Sequence, residues 1–418
     1  MRTWYRNLDW LVVVVWLALC GVGLIAIYST TYGSSQEFLL TSVQRNFDRQ
    51  LLWLCICGLA LVVSLLIPVR LLIQLAPVLY GASIVLILAA LAIGREVGGA
   101  QAWVYIGPFG FQSSELAKVG AIVMVALILA KKPVRGSDAL SALSAIGLLL
   151  LPAALIMLQN DDGTALVFIS LIPLLLFWGS FPMTIVLLMV IPAIAGYMTV
   201  LHWPTALGFA VVITGVLYVS TRNMQLAILA GSIAGGTVGF TAFALHRILR
   251  PHQVQRILAF ANPEADEFRS GVGFHLIQSK TAIGSGGLFG QGFMEGSQTQ
   301  GRYIPEQSTD FIFSAIGEEW GFVGSLLVLL LFGLLIIRLL RMAARTHHPF
   351  GSLVIAGAAS VFFVHVCVNI GMVLGLLPVI GIPLPFLSYG GSALLTNSVL
   401  LGLSLNMYAR RDEFSMYF

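Results

Sequence analysis

The sequence predicts an all-α polytopic membrane bundle of about twelve transmembrane helices with one large extracytoplasmic loop, and three observations predict it. Of 418 residues, 58% are hydrophobic and only 10% charged, with mean hydropathy +0.94. Soluble domains carry about 25% charged residues. Apolar runs of about 20 residues, the length that crosses a bilayer, recur along the whole chain. Only 247–308 interrupts them at length, and a long polar interruption in a membrane bundle binds, gates or reacts.

The runs fall near 9–30, 50–67, 71–93, 113–130, 139–158, 163–179, 182–201, 204–220, 224–246, 309–340, 351–376 and 391–409. Ser180–Pro182 breaks the pattern between the sixth and the seventh. Basic residues cluster at alternate span ends: Arg2 and Arg6, Arg70, Lys131, Lys132 and Arg135, Arg222, Arg338, Arg341 and Arg345, then Arg410 and Arg411. Positive charge stays in the cytoplasm, so both termini are expected there, in the inner membrane, with 247–308 facing outward. Arg247, Arg250, Arg256, Arg269 and Arg302 on the disfavoured side imply an anionic partner. The four cysteines, Cys20, Cys55, Cys57 and Cys367, all fall inside spans and read as packing residues. They form neither a disulfide framework nor a metal pair. The first span lacks a small-residue cleavage site and reads as part of a single membrane domain, 1–418.

The outward segments hold the polar chemistry. Glu115 and Lys118 are three apart on the fourth span, so they share a helix face. Each alone would cost about 2.5–3.5 kcal/mol at the bilayer centre. The pair lines a substrate site or fixes helix rotation. Asp161 and Asp162 make a tight turn that caps the next helix, with Asp162 or Thr164 near the cap. Glu264, Asp266 and Glu267 offer a general base. Phe274–Lys280 is an amphipathic run that suits the membrane surface, and the glycines at 284, 286, 287, 290 and 292 read as a flexible turn, outside the known phosphate-loop spacings. Thr309 or Asp310 is expected to cap the tenth span, with Glu318 and Glu319 at its positive start. Three prolines and three glycines between Leu377 and Ser392 break the helical pattern, which is tolerated at membrane depth only against protein or a watery cavity.

Five motifs together resemble the SEDS family (shape, elongation, division, sporulation). They are Phe111-Gln-x-Ser-Glu115-Leu-Ala-Lys118, Gly163-Thr164-Ala, Ile277-Gln278-Ser279-Lys280 with its glycine cluster, Pro305-Glu306-x-x-Thr309-Asp310-Phe-Ile-Phe313, and Gly381-Ile-Pro-Leu-Pro-Phe-Leu-Ser388-Tyr389-Gly-Gly-Ser. The last motif and Gly296-Ser-Gln-Thr-Gln300 are similar to the elongation branch rather than the division branch. The resemblance implies a peptidoglycan glycosyltransferase that polymerises lipid II at the outer face of the cytoplasmic membrane during cell-wall elongation. It implies a class B penicillin-binding protein as transpeptidase partner, a divalent cation (Mg or Mn) and no nucleic acid. The catalytic aspartate maps to Asp266, with Glu264 and Glu267 as rivals because the usual Pro-Leu-Gly is replaced by Glu267-Phe-Arg269. Glu115, Lys118, Gln278, Ser279, Lys280, Arg302, Glu306, Thr309, Asp310, Ser388 and Tyr389 are the expected substrate-binding residues. Lys118 and Arg302 are the candidates to face the leaving pyrophosphate. The family usually has ten spans, so 181–220 reads as an inserted helix pair. The alternatives are a flippase or transporter of the lipid-linked precursor, or an inactive scaffold.

Overall fold

The computed structural model describes residues 7–32, 44–107, 109–131, 139–263, 265, 268, 271–304 and 306–411. It is a helix bundle: α1 (Trp10–Tyr32), α2 (Asn46–Leu66), α3 (Val69–Ile93), α4 (Ser113–Ala130), α5 (Ala139–Leu158), α6 (Asp162–Trp178), α7 (Met183–Thr221), α8 (Met224–Arg247), α9 (Pro251–Ala261), α10 (Val272–Ser285), α11 (Ser297–Gln300), α12 (Ile312–Arg345), α13 (Pro349–Val373) and α14 (Gly391–Ala409). The all-α expectation lacks one feature, a small antiparallel sheet of β1 (Arg95–Val97), β2 (Ala100–Ile106) and β3 (Phe109–Gln112). Its first turn is Gly98-Gly99, both at positive φ, the backbone that a tight hairpin needs. Gln101 N–H donates to Gln159 O at 2.9 Å and so ties the sheet to the α5–α6 turn.

Among the described residues, nine helices are long and apolar enough to cross a membrane. The 17-residue α6 and the more polar α14 fall outside that count. The expected twelve crossings require those two and a double crossing by α7. That helix has 39 residues, about 58 Å if straight, against a hydrocarbon core of about 30 Å. It breaks at His202 (φ −163, ψ 99), where the hydropathy pattern also breaks. Ile191 and Ala195 before the break, and Ala210 and Leu217 after it, join Ala227, Ala230 and Ala234 of α8 in one apolar cluster separate from the main core.

α13 is the central helix, with 83% of its apolar window buried. Small residues let helices meet closely around it. A side chain at Gly23 of α1 would stand 2.7 Å from the backbone of Leu387, and one at Gly402 of α14 would stand 2.7 Å from Ser64 Cβ of α2. At that crossing Asn406 Nδ2 donates to Ser64 O (2.8 Å) and Ile67 O (2.7 Å), so the last carbonyls of α2 are satisfied.

The start of α12 departs from expectation. Phe311, not Thr309 or Asp310, occupies the N-cap, with no side-chain cap. Glu318 and Glu319 lie beyond the first turn, next to a second helix break at Gly321 (φ 67, ψ −160). The glycine cluster docks into this break instead of forming a free turn. Gln291 N–H donates to Glu318 O (2.9 Å), Gly292 N–H to Glu319 O (3.1 Å), Phe322 N–H to Gly287 O (2.9 Å) and Val323 N–H to Leu288 O (3.1 Å). Side chains at Gly286 or Gly290 would collide with Gly317 O and Glu319 O, which is why glycine stands there. Glu318 turns back to the loop. Its carboxylate accepts from Ser297 Oγ (3.2 Å), Gln298 N–H (2.6 Å), Thr299 N–H (2.8 Å) and Thr299 Oγ (2.6 Å), while Glu319 pairs with Ser29 of α1. Nor does the run Phe274–Lys280 lie free on the membrane surface. It is part of α10, and Ser279 is buried against α12 and α13.

Replacing Glu318 by Gln turns an NH2 donor toward groups that all donate, in place of a carboxylate that only accepts. The expected cost is about 3 kcal/mol, read as a lower melting temperature in detergent and as new protease cleavage between residues 286 and 304.

Candidate active site

The polar elements meet at one end of the bundle. Leu374–Gly390, between α13 and α14, has no regular structure, and its prolines withdraw N–H groups while leaving carbonyls to be satisfied. Side chains do this. Asn369 Nδ2 donates to Ile382 O (2.7 Å) and also to Asp310 O (2.8 Å). The Ser388 hydroxyl donates to Thr309 O (2.6 Å) and accepts from Leu384 N–H (2.8 Å), and Tyr389 N–H donates to Ser308 O (2.8 Å). Gln50 of α2 donates to Ser388 O (3.3 Å), and Asn46 of α2 donates to the Ser308 hydroxyl (3.2 Å). The broken segment and the Glu306–Asp310 turn are thus stitched into one unit.

Beneath it lies a buried polar chain. Lys118 Nζ contacts Glu115 Oε1 at 2.9 Å and His365 Nε2 at 3.1 Å, and His365 Nδ1 is 3.1 Å from Pro383 O. Lys118, Glu115 and His365 are 0%, 2% and 2% exposed, so Lys118 is sealed from solvent. Glu115 Oε2 has no hydrogen-bond partner among the described residues.

The side of this unit is closed by α6 and α9. Asp161, rather than Asp162 or Thr164, caps α6, accepting from Thr164 N–H at 3.1 Å. Its other oxygen takes Gln112 Nε2 (2.6 Å) and the Ser114 hydroxyl (3.3 Å). Asp162 receives Gln253 of α9 at 2.9 Å on both oxygens. Asp310, in the turn before α12, is half-buried. Its carboxyl is pushed from the ordinary 3.8 up to about 7, first by burial and then by the charge of Glu306, with Arg256 opposing and Asp161 adding.

Five expected binding residues therefore come together: Glu306, Thr309, Asp310, Ser388 and Tyr389. Glu306 is exposed at φ 51, and its carboxylate accepts from the Thr309 hydroxyl at 2.9 Å. Among the described residues, Glu115 and Lys118 reach the unit through His365. Gln278, Ser279 and Lys280 sit on α10, behind Val373–Gly375. Ser279 is fully buried, its hydroxyl held by Ser314 Oγ and Val373 O at 2.8 Å each. Lys280 is exposed, with its stem against Gly375. Arg302 is half-buried at φ 56, and burial pushes its guanidinium below its ordinary value. Asp266 and its rivals Glu264 and Glu267 lie outside the described residues, as does Pro305.

Sequence reasoning passed over His365, Asn369, Asn46, Gln50 and Gln253. His365 and Asn369 carried a usable signal, two polar residues four apart in an apolar span. Among the described residues no three metal-ligating side chains converge, and Arg256 stands within reach of the field of Asp310. These residues do not form a dedicated cage for a divalent cation.

A family model described as a cell cycle protein and named for FtsW, RodA and SpoVE matches residues 9–203 and 202–413. The chain belongs to this family. It is the SEDS family that the motifs resemble, and its FtsW–RodA–SpoVE model covers both the polar site and the α7–α8 unit. A relative from Treponema pallidum, named peptidoglycan glycosyltransferase RodA, is 32% identical over 97% of this chain and 98% of its own length. Peptidoglycan glycosyltransferase MrdB of Escherichia coli is 35% identical over 85% of this chain and 83% of its own. A solved chain described under structural coordination of polymerization and crosslinking by a peptidoglycan synthase complex superposes with a TM-score of 0.70 at 28% identity, covering 97% of this chain and 98% of that one.

The Asp310 shift has a sign that stability can read. Its folded value, about 7, lies above the ordinary 3.8. Its contribution is therefore fully present below about pH 3.8 and lost as pH rises through about 7. Asp310→Asn is expected to raise the melting temperature at pH 8 and to flatten its fall between pH 5 and pH 8. A melting curve that keeps the wild-type pH slope contradicts the assignment.

Proposed function

We propose that Asp266 is the general base of glycan polymerisation and that lipid II is both donor and acceptor. The chain is a peptidoglycan glycosyltransferase of a multi-pass membrane family. In the proposed reaction the 4-hydroxyl oxygen of one lipid-linked disaccharide attacks the anomeric carbon of another. The bond from that carbon to the pyrophosphate oxygen breaks, and its electron pair leaves with the polyprenyl pyrophosphate. The hydroxyl proton passes to the Asp266 carboxylate as attack proceeds, since a sugar hydroxyl is a weak nucleophile. One displacement inverts the anomeric carbon.

The observation that supports this reading is that both helices flanking the acidic segment are fastened to helices bordering the stitched unit, α9 to α6 and α10 to α13. Gln253 ties α9 to Asp162, and Ser279 ties α10 to Val373 O. In sequence the proposed base lies between these two fastened helices, and reach decides general-base efficiency. For the leaving pyrophosphate, Arg302 and the exposed Lys280 are the proposed cations, with Lys118 sealed beneath. Gln278, Glu306, Thr309 and Tyr389 remain the proposed contacts to the sugar and peptide. Magnesium or manganese enters, on this proposal, with the pyrophosphate, because Mg²⁺ is usually held by substrate phosphates with one or two carboxylates.

The proposed orientation puts the stitched end outside the cell and both termini in the cytoplasm, with α7 crossing twice so that α8 returns to the outer face. Arg338 and Arg411 then border the cytoplasm around a cavity that also contains Asp9, the ion-pair partner of Arg338 at 2.6 Å. A class B penicillin-binding protein is the proposed transpeptidase partner.

Purified chain in detergent should turn lipid II into glycan polymer, a product that transport cannot make. Asp266→Asn should leave folding intact and lower polymer yield at least a hundredfold, with Glu264→Gln and Glu267→Gln near wild type. Equal yield from Asp266→Asn and wild type sinks the assignment.

A further inference from the structure

Pro383 O is an acceptor only, so His365 Nδ1 must carry the hydrogen between them, and Nε2 must then accept from the Lys118 ammonium. The imidazole is a neutral link with charge at one end and a wall carbonyl at the other. A second positive charge on the ring would stand 3.1 Å from the ammonium, which disfavours it. Hydrogen bonds in series polarise one another, so the ammonium strengthens the Nδ1–H donor toward Pro383. One turn later on α13, Asn369 holds the adjacent carbonyl, Ile382 O, and Asp310 O with it. Two side chains of one helix therefore grip consecutive carbonyls of the broken segment. Only His365 has a buried ion pair behind it, Glu115–Lys118 on α4.

We propose that His365 is a positioning residue for lipid II: it transmits the hold of the Glu115–Lys118 pair on α4 to Pro383 and so sets where the wall Gly381–Tyr389 stands against Thr309 and Asp310. This rests on the reading that the stitched end takes lipid II. It gives the buried Lys118 a task that needs no contact with substrate. Lys118 carries a charge on a long flexible stem, and with Glu115 and His365 on two sides its position is determinate.

The test is lipid II affinity and KM in monodisperse, detergent-purified protein. His365→Phe keeps ring volume and removes both nitrogens. It should raise Kd and KM for lipid II at least fivefold, a shift that a smaller folded fraction would not produce. His365→Gln can still accept from Lys118 and donate to Pro383, and should stay within twofold of wild type. If His365→Phe does not fold, His365→Asn replaces it, because its shorter amide cannot reach both groups. In a Lys118→Met background either disruptive change should add nothing, since the link is already cut. Unchanged Kd and KM in the disruptive variants, or an undiminished effect in the Lys118→Met background, overturns the proposal. Wild type that binds lipid II without making polymer overturns the catalytic reading instead, and the Kd series still decides on His365.

Discussion

Backbone that leaves a helix at membrane depth must find partners for its polar groups, and everything at the polar end of this bundle follows from that requirement. Each unsatisfied group in a lipid-like surrounding costs several kcal/mol. The segment Leu374–Gly390 carries Pro378, Pro383 and Pro385, none able to donate a backbone N–H. Its carbonyls look to side chains instead, and Asn369, His365 and Gln50 supply the donors from helices that the main core fixes. A loop held this way has little freedom. It can serve as one wall of a binding site because its position is set by the surrounding helices, not by its own sequence.

The same requirement is met differently earlier in the chain, and there backbone meets backbone. The break at Gly321 frees carbonyls and N–H groups of α12, and the glycine-rich segment 286–292 takes them up. Glycine serves closeness here, since side chains at 286 and 290 would collide with the helix. Glu318, whose side chain is buried, makes the arrangement determinate by gathering the start of α11 onto its carboxylate. A buried carboxylate with four donors is satisfied, and it leaves the chain between Gln291 and Gln300 anchored at both ends. The chain that leads from the glycine cluster back toward α12 is therefore held in place.

Much of this was legible in the sequence, and the parts that were not share a cause. Hydropathy placed nearly every long helix and found the His202 break, because crossing length is a property of composition. The proline and glycine pattern found the irregular wall. The family resemblance put Glu306, Thr309, Asp310, Ser388 and Tyr389 in one set, and the fold brings them together. The partners went unseen. A spacing rule shows that Glu115 and Lys118 share a face, but not that His365, 247 positions away, completes the chain. The expected caps failed for the same reason. Thr309 has a good cap side chain, yet its hydroxyl bonds to Glu306. Glu318 suits a helix start, yet it caps another helix. Local rules rank what a side chain can do, and tertiary packing chooses among the options. The small sheet escaped because its strands of 3, 7 and 4 residues are too short to set up a period of their own.

The burial of Lys118 bears on how the positive charges divide their work. An ion pair withdrawn from water is weak support for stability, since desolvation offsets most of the attraction. Glu115–Lys118 is withdrawn almost completely, and one carboxylate oxygen has no partner among the described residues. Stability alone therefore gives a poor reason for the pair. What it provides is a fixed charge at the centre of the bundle, joined through one imidazole to the wall of the site. Arg302 and Lys280, by contrast, reach solvent, and an anion arriving from the membrane surface can meet them without any rearrangement of the core. A polymerising enzyme needs both kinds of charge. On the proposed function, the accessible Arg302 and Lys280 face the departing pyrophosphate, and the sealed Lys118 holds the geometry around it.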